Sequence, residues 1–400
     1  METTSEIRTM STLEKELTKD IYLDYAATTP VDPEVFAKME PYFKEHFGNA
    51  ASAAHHWGWA AENATQKARA QVASLIGAKS TEVIFTSGAT ESNNWVIFGL
   101  ISKLREENPY EPLHFITSCV EHSSIMKAME AARKLNVEVD ILPVNHYGQV
   151  KIETVQAALK PHTKLMSFMW VNNEVGSFNP ITELAKLAKE NKIYLHTDAT
   201  QAVGKIPVNV TEIGIDLMSF SGHKIYGPKG VGALYIRSKD PKVQINPLIY
   251  GGGQERGLRS GTLNVPAIVG LGAAAEICQH NLPLEMERMI SLRNFMWHQL
   301  HESIPGIQLN GHPTERSPAS LNISLPAKTE TLLPHLQKLG VSTGSACSTG
   351  AMTISHVLHG IGLTSEQAQS SLRLSLGRWT TENEILRAVE ILRNALPKKQ

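Results

Sequence analysis

Between about residue 80 and residue 240 the chain alternates short apolar, β-branched runs with longer amphipathic stretches. This rhythm restricts the fold more than any other feature. Glu82–Thr86, Leu113–Ser118, Val137–Leu142, Lys164–Val171, Ile193–His196, Leu217–Phe220 and Gly232–Ile236 read as strands. Ser123–Leu135 and Ile181–Asn191 carry apolar residues at the three-to-four spacing of a helix packed along one face. Strands that alternate with helices favour a mostly parallel sheet covered on both faces, so an α/β fold is expected. Sites in such sheets collect at the carboxyl ends of the strands, which is where to look for chemistry.

After about residue 280 the texture changes. A helical stretch, Leu284–Ser303, precedes a Gly- and Pro-containing segment, a strand in SLNISL, a helix over Thr329–Leu339 and a small-residue loop from Ser342. An amphipathic tail, Thr381–Leu396, closes the chain. That order suggests a smaller α+β lobe, and 400 residues are enough for two.

Composition narrows the function. Lys+Arg 38 against Asp+Glu 39 leaves a net charge of -1, which gives no electrostatic case for direct nucleic-acid or membrane binding. Three cysteines, none in a CxxC pair, argue against a disulfide framework and a structural zinc site, and they fit a reducing compartment. The first twenty residues mix acids and bases without an apolar stretch, so neither a secretory signal nor a transit peptide is expected. A cytoplasmic protein with no bound metal is the expectation.

Three local patterns carry chemistry. Lys224, in SFSGHKIYGPKG, follows a strand, where an amine can form a Schiff base; taken alone it is as readily a surface lysine beside a turn. Asp198, in HTDATQAVG, ends another strand and suits a pyridinium nitrogen, or simply caps the next helix. Gly88, Ala89 and Thr90 lie where a strand hands over to a helix, whose first N–H groups favour a phosphate. The segment matches neither a Walker A loop nor GxGxxG.

Together these blocks resemble the class V aminotransferase family of pyridoxal-phosphate (PLP) enzymes, and within it the cysteine desulfurases of NifS/IscS type. The resemblance runs from YLDYAATTP to SLRLSLGRWTTENEI and includes FGN-AS, FTSGATESNN, EHSSI, VNNEVG, TDATQAVGK, SFSGHKIYGPKG, GGGQERGLRSGT and GSACSTG. It implies a fold type I PLP-dependent transferase: a large domain over residues 34–281 with a seven-stranded-type sheet, and a small domain from 1–33 and 282–400 carrying a catalytic loop at about 342–353. Lys224 would carry the cofactor, Asp198 would pair with its ring nitrogen, and His122 would stack on the ring. Asn173 and Gln201 would hydrogen-bond the phenolate oxygen or its surroundings. Thr90, Ser221 and His223 would grip the phosphate beside the backbone of Ala89. Thr262 would reach the phosphate of the other subunit in a homodimer. Asn49 and Arg373 would hold the substrate carboxylate.

The implied reaction converts L-cysteine to L-alanine and leaves the sulfur as a persulfide on Cys347, with Lys224 or His122 moving the proton. An acceptor protein would then take the sulfur toward iron–sulfur clusters, thio-cofactors or tRNA thiolation. GSACSTG is the group I form of the loop, whose glycines and serines suit a mobile thiolate. Cys119 and Cys278 read as packed thiols, and His55 and His56 as surface histidines. Two departures stand out. Ala50 replaces the proline usual in FGNPAS, and the chain stops at Gln400, where IscS-type enzymes extend further to dock a scaffold protein. The shorter end puts scaffold docking in question but not sulfur transfer, and the expected acceptor is a scaffold or a sulfurtransferase. Rival readings are another class V reaction, a transaminase or selenocysteine lyase, and a non-catalytic relative that keeps the fold.

Overall fold

The computed structural model describes residues 20–343 and 355–397. Among the described residues, thirteen short strands form three sheets. The seven-stranded sheet is built from β2 (Val83–Thr86), β3 (Leu113–Ser118), β4 (Val137–Leu142), β5 (Thr163–Ser167), β6 (Tyr194–Asp198), β7 (Leu217–Ser221) and β8 (Gly232–Ile236), in the order β2-β8-β7-β6-β5-β3-β4. Only β8 runs against its neighbours; the other pairings from β7 to β4 are parallel. Because β2 and β7 both pair antiparallel with β8, six strands point the same way.

Every residue of β2, β3, β7 and β8 is buried, as a sheet covered on both faces requires. One face packs on a core containing Val72, Met166, Leu195 and Leu271. The other packs on Trp95, Leu100 and Met129, from the helices Ala89–Glu107 and Ser123–Arg133. Most of the strand expectations hold within one or two residues. The run Lys164–Val171 is the exception, since β5 ends at Ser167. Beyond it the Phe168 and Trp170 N–H groups still donate to the His196 and Asp198 carbonyls of β6, while the Met169 carbonyl accepts from the Asn179 amide.

The second lobe uses β9 (Gln308–Asn310), β10 (Ser320–Ser324), β12 (Ser342–Thr343) and β13 (Ser371–Ser375), all antiparallel. The chain's start adds β1 (Ile21–Tyr22) in parallel with β11 (Leu339–Gly340). A separate core of Leu23, Leu292, Met296, Ile323, Leu374 and Ile385 holds this lobe.

A single helix, Val265–Ser303, serves both lobes. Its first half buries Ile268, Leu271 and Cys278 in the large core, and its second half buries Met289, Met296 and Leu300 in the small one. It therefore runs without a break through the boundary expected between residues 281 and 282, and the expected start at Leu284 is corrected to Val265. Pro283 lies inside it, where its ring gives up one helical hydrogen bond. Burial on both sides of that residue outweighs the loss. A Cβ on Gly272 would stand 2.5 Å from the Ala68 Cα, so the crossing against the helix His56–Leu75 is close. The expected helix Thr329–Leu339 is also shorter, with a single α turn, Thr329–Leu332, and a 3-10 turn at Leu333–His335 that contains Pro334.

A buried ion pair pins the first long helix to the sheet. Arg69 donates from both terminal nitrogens to Glu255, at 2.7 and 2.6 Å, and also to the Val83 carbonyl. Glu255 in turn accepts the Phe85 N–H, and the guanidinium lies 4.6 Å from the Phe85 ring centre. Among the described residues no helix is long and apolar enough to cross a membrane, and no His, Cys, Asp and Glu cluster could hold a metal.

Candidate active site

The carboxyl ends of β2, β3, β5, β6 and β7 open on one cavity of 570 Å³, within the range of sites that enclose a small molecule. Ala89, Thr90, His122, Asn173, Asp198, Gln201, Ser221, His223, Lys224 and Arg373 all border it. Their sequence positions span almost the whole chain, and the strand direction is what collects them.

Each side chain has a local reason for its position. Lys224 ends the short 3-10 turn after β7 and donates to the carbonyls of Ala26 and Ala27 at 2.7 and 2.6 Å. Asp198 ends β6; its Oδ2 accepts from Asn93 Nδ2 at 2.8 Å and its Oδ1 from the Thr200 N–H. His122 caps the helix Ser123–Arg133, with Nδ1 accepting the Ser124 N–H and lying 2.8 Å from Ser124 Oγ. Ser124 Oγ also accepts from Asn93, so His122, Ser124, Asn93 and Asp198 form one hydrogen-bonded chain. Burial holds the His122 imidazole below its ordinary range, helped by the Lys224 and His356 charges and opposed by Asp198. A neutral ring that accepts at Nδ1 carries its proton on Nε2.

On the opposite wall, Gly88 opens the helix Ala89–Glu107 at a φ of 151° with no side-chain cap, leaving the first N–H groups to face the cavity. Gly232 lets this turn sit against β8, because a Cβ there would stand 2.7 Å from the Gly88 Cα. Arg373, on β13 of the small lobe, gives one nitrogen to Asp24 at 2.6 Å and another to the Asn173 carbonyl at 2.9 Å. Its Nε, the Oδ1 of Asn173 and the Oγ1 of Thr200 are buried and have no hydrogen-bond partner. Buried polar atoms are seldom left so, and three of them bordering one cavity mark a place made for a polar ligand.

The remaining expected residues lie elsewhere. Asn49 is exposed and uses its Oδ1 to accept the Ala51 N–H, outside the cavity's wall. Thr262 is exposed and does not border the cavity of its own chain. Cys347 lies outside the described residues, as does the loop from 344 to 354. His55 caps a helix through the Gly58 N–H.

An aminotransferase class-V family model matches residues 21–387. The chain belongs to the class V aminotransferase family. "Cysteine desulfurase IscS" from Rickettsia prowazekii is 44% identical over 385 residues, covering 96% of this chain and 93% of that protein. Among solved structures, a "NifS-like protein" matches with a TM-score of 0.86 at 35% identity, covering 94% of this chain and 98% of that one. "SspA in complex with cysteine" matches with a TM-score of 0.79 at 35% identity, covering 90% and 100%.

Class V aminotransferases of the cysteine desulfurase type depend on PLP. The cavity suits that cofactor: a lysine amine, a buried carboxylate, a flat imidazole, a helix N-terminus behind a glycine, and unpaired buried polar atoms meet in one space.

Residues with no signature of their own complete the site. Asn93 lies within a quoted block, yet only the structure shows it tethering Asp198. Asp24 anchors Arg373. Glu121 is fully buried, accepts from Ser118 Oγ and the Met169 N–H, and is pushed up to about 8 by burial. His196, in β6, lies between Ser167 Oγ and Ser219 Oγ at 2.8 and 2.9 Å, and burial pushes it down to about 4. Because its folded value lies below the unfolded one, the unfolded chain binds more protons between about 6.5 and about 4. His196 should therefore cost nothing above the ordinary imidazole range and on the order of 3 kcal/mol once the pH falls to about 4. Thermal unfolding along a descending pH series should show this loss, and His196→Gln should flatten it.

Proposed function

We propose that this chain is a cysteine desulfurase: it converts L-cysteine to L-alanine and retains the sulfur as a persulfide on Cys347. The observation that carries the reading is Lys224 at the end of β7, in one cavity with Asp198 and the first turn of the helix Ala89–Glu107. Similarity to enzymes named for this activity supports it, and a related structure is described as holding cysteine.

PLP, when bound, supplies an electron sink for the reaction. Lys224 would hold it, Asp198 would keep a positive charge at its ring nitrogen, and Thr90, Ser221, His223 and the Ala89 N–H would hold its phosphate. The Asn93 and Thr200 contacts keep the Asp198 carboxylate fixed while charge changes beside it. His223 is kept neutral by burial and by the neighbouring lysines, which push it down to about 4, so it hydrogen-bonds without adding charge. Arg373 has its unpartnered Nε left for the substrate carboxylate, and Asp24 holds the guanidinium in place. His122, with its proton on Nε2, and Lys224 are the groups placed to move a proton. The Cys347 thiolate takes the substrate sulfur: an S–S bond forms, the C–S bond breaks, and the carbon skeleton leaves as alanine with one added proton.

The finer parts of the reading follow the same resemblance. The chain would work as a homodimer in which Thr262 of each copy completes the other's phosphate site. An acceptor protein would collect the sulfur in the cytoplasm for iron–sulfur or thio-cofactor assembly. Asn49 would need to turn from Ala51 to help hold the substrate.

Intact-mass analysis after mixing with L-cysteine, with alanine measured alongside, tests the proposal. One sulfur should add to the protein for each first-turnover alanine, and Cys347→Ser should abolish the adduct. Alanine without a protein adduct, or an adduct that survives Cys347→Ser, would overturn it. Accumulation of a keto acid would instead indicate transamination.

A further inference from the structure

Behind the main cavity lies a smaller one of 40 Å³ between the lobes, bordered by Lys205 and Lys224 together with Tyr25, Tyr226, Glu285 and Met289. Lys205 is a second lysine close to the first, and the reaction proposed above does not use it. Its ammonium donates to Gln201 Oε1. Gln201 Nε2 donates to the Ala26 carbonyl at 2.9 Å, the same oxygen that accepts from Lys224 at 2.7 Å. The two lysines are therefore joined through one amide and one carbonyl.

The two ends of a glutamine amide are nearly the same shape, so hydrogen-bond partners decide which way it faces. Lys205 in its charged form only donates, and it requires the amide oxygen. The nitrogen must then face the other way, toward Ala26 and the main cavity, which Gln201 also borders. Nε2 carries two hydrogens, and Ala26 takes one. Ala26 fixes the amide less firmly, because its carbonyl is shared with Lys224, whose amine must be released for any chemistry.

We infer that Lys205 is a positioning residue: it holds the Gln201 amide with the oxygen inward, so that an N–H is presented to an anionic ring oxygen of the cofactor. The inference rests on PLP occupying the main cavity. Burial, with the nearby Lys224 and Arg373 charges, pushes the Lys205 ammonium down to about 7. The chain thus keeps an amine in a place that is unfavourable to its charge, where an apolar side chain of the same length would be easier to bury.

The test is the visible absorbance of the bound cofactor in purified holoenzyme, titrated from neutral to alkaline pH. With the amide free to turn, the ring oxygen loses a donor, and that loss strengthens the cofactor nitrogen's hold on its proton. Lys205→Met should raise the absorbance midpoint by about one pH unit. Gln201→Leu should raise it by a similar amount, and the double variant should shift it no further than the larger single change. Methionine fills the space of the lysine stem, so the thermal midpoint should not fall. Wild-type titration in Lys205→Met, or additive shifts in the double variant, would overturn the role. Wild-type protein that neither carries visible absorbance nor gains it from added PLP would instead overturn the reading beneath it.

Discussion

Lys224→Ala protein mixed with L-cysteine is expected to form alanine on the order of a thousandfold more slowly than the wild type, with no one-sulfur adduct on the protein. The size of the effect follows from position. Lys224 Nζ is held between the Ala26 and Ala27 carbonyls at the mouth of β7, where its amine faces the cavity shared with Asp198 and His122. Lys205, turned toward Gln201, does not take its place. The substitution removes a half-buried side chain at the end of a strand and leaves both cores intact, so the melting temperature should change little. Alanine release near the wild-type rate from correctly folded Lys224→Ala would sink the assignment of this lysine.

The second large effect concerns stability. Glu255→Ala should cost about 3–5 kcal/mol, because it leaves Arg69 charged and unpaired beneath the helix His56–Leu75. The side chains of Arg69 and Glu255 are 3% and 1% exposed, so water cannot replace the missing partner. The loss extends to the sheet, since the same carboxylate accepts the Phe85 N–H beside β8. Chemical denaturation followed by circular dichroism should show a much earlier transition. The paired replacement of Arg69 by Met and Glu255 by Leu should recover most of it, because an apolar pair has no charge to strand. A Glu255→Ala protein as stable as the wild type would mean that the pair contributes nothing to the fold.

Much of the large lobe is legible in the sequence because burial on both faces demands continuous apolar strands, and these stand out between polar turns. Near their carboxyl ends, Asp198 and Lys224 stand where a site would be but are not decided by position alone, and His122 comes only from the resemblance of its block. Tertiary packing hides the rest. The helix Val265–Ser303 carries Pro283 in its interior, and its burial in one core before that residue and in another after it explains its continuity. Asn93 and Asp24 act by hydrogen bonds to residues far along the chain and Lys205 by one to Gln201 nearby, and a hydrogen bond leaves no periodicity. Asn49 shows the opposite case. Its block is recognisable, yet its side chain closes its own turn rather than joining the cavity. Cys347 was legible from its block alone and lies outside the described residues.

The first described segment has a consequence for how the protein is made. Ala26 and Ala27 receive Lys224, Asp24 holds Arg373, and the Ala26 N–H donates to Ser375 Oγ, 349 positions along the chain. During synthesis the residues that seat the lysine leave the ribosome well before the strand that secures them, which lies 349 positions later. The large sheet can assemble in the interval, since β2 to β8 are complete by Ile236. The reaction chamber cannot. Its floor waits for β13, so the nascent chain passes through a stage in which the sheet is folded and Lys224 lacks its final seat. Activity arrives in one late step, when the segment Asp24–Ala27 meets β13.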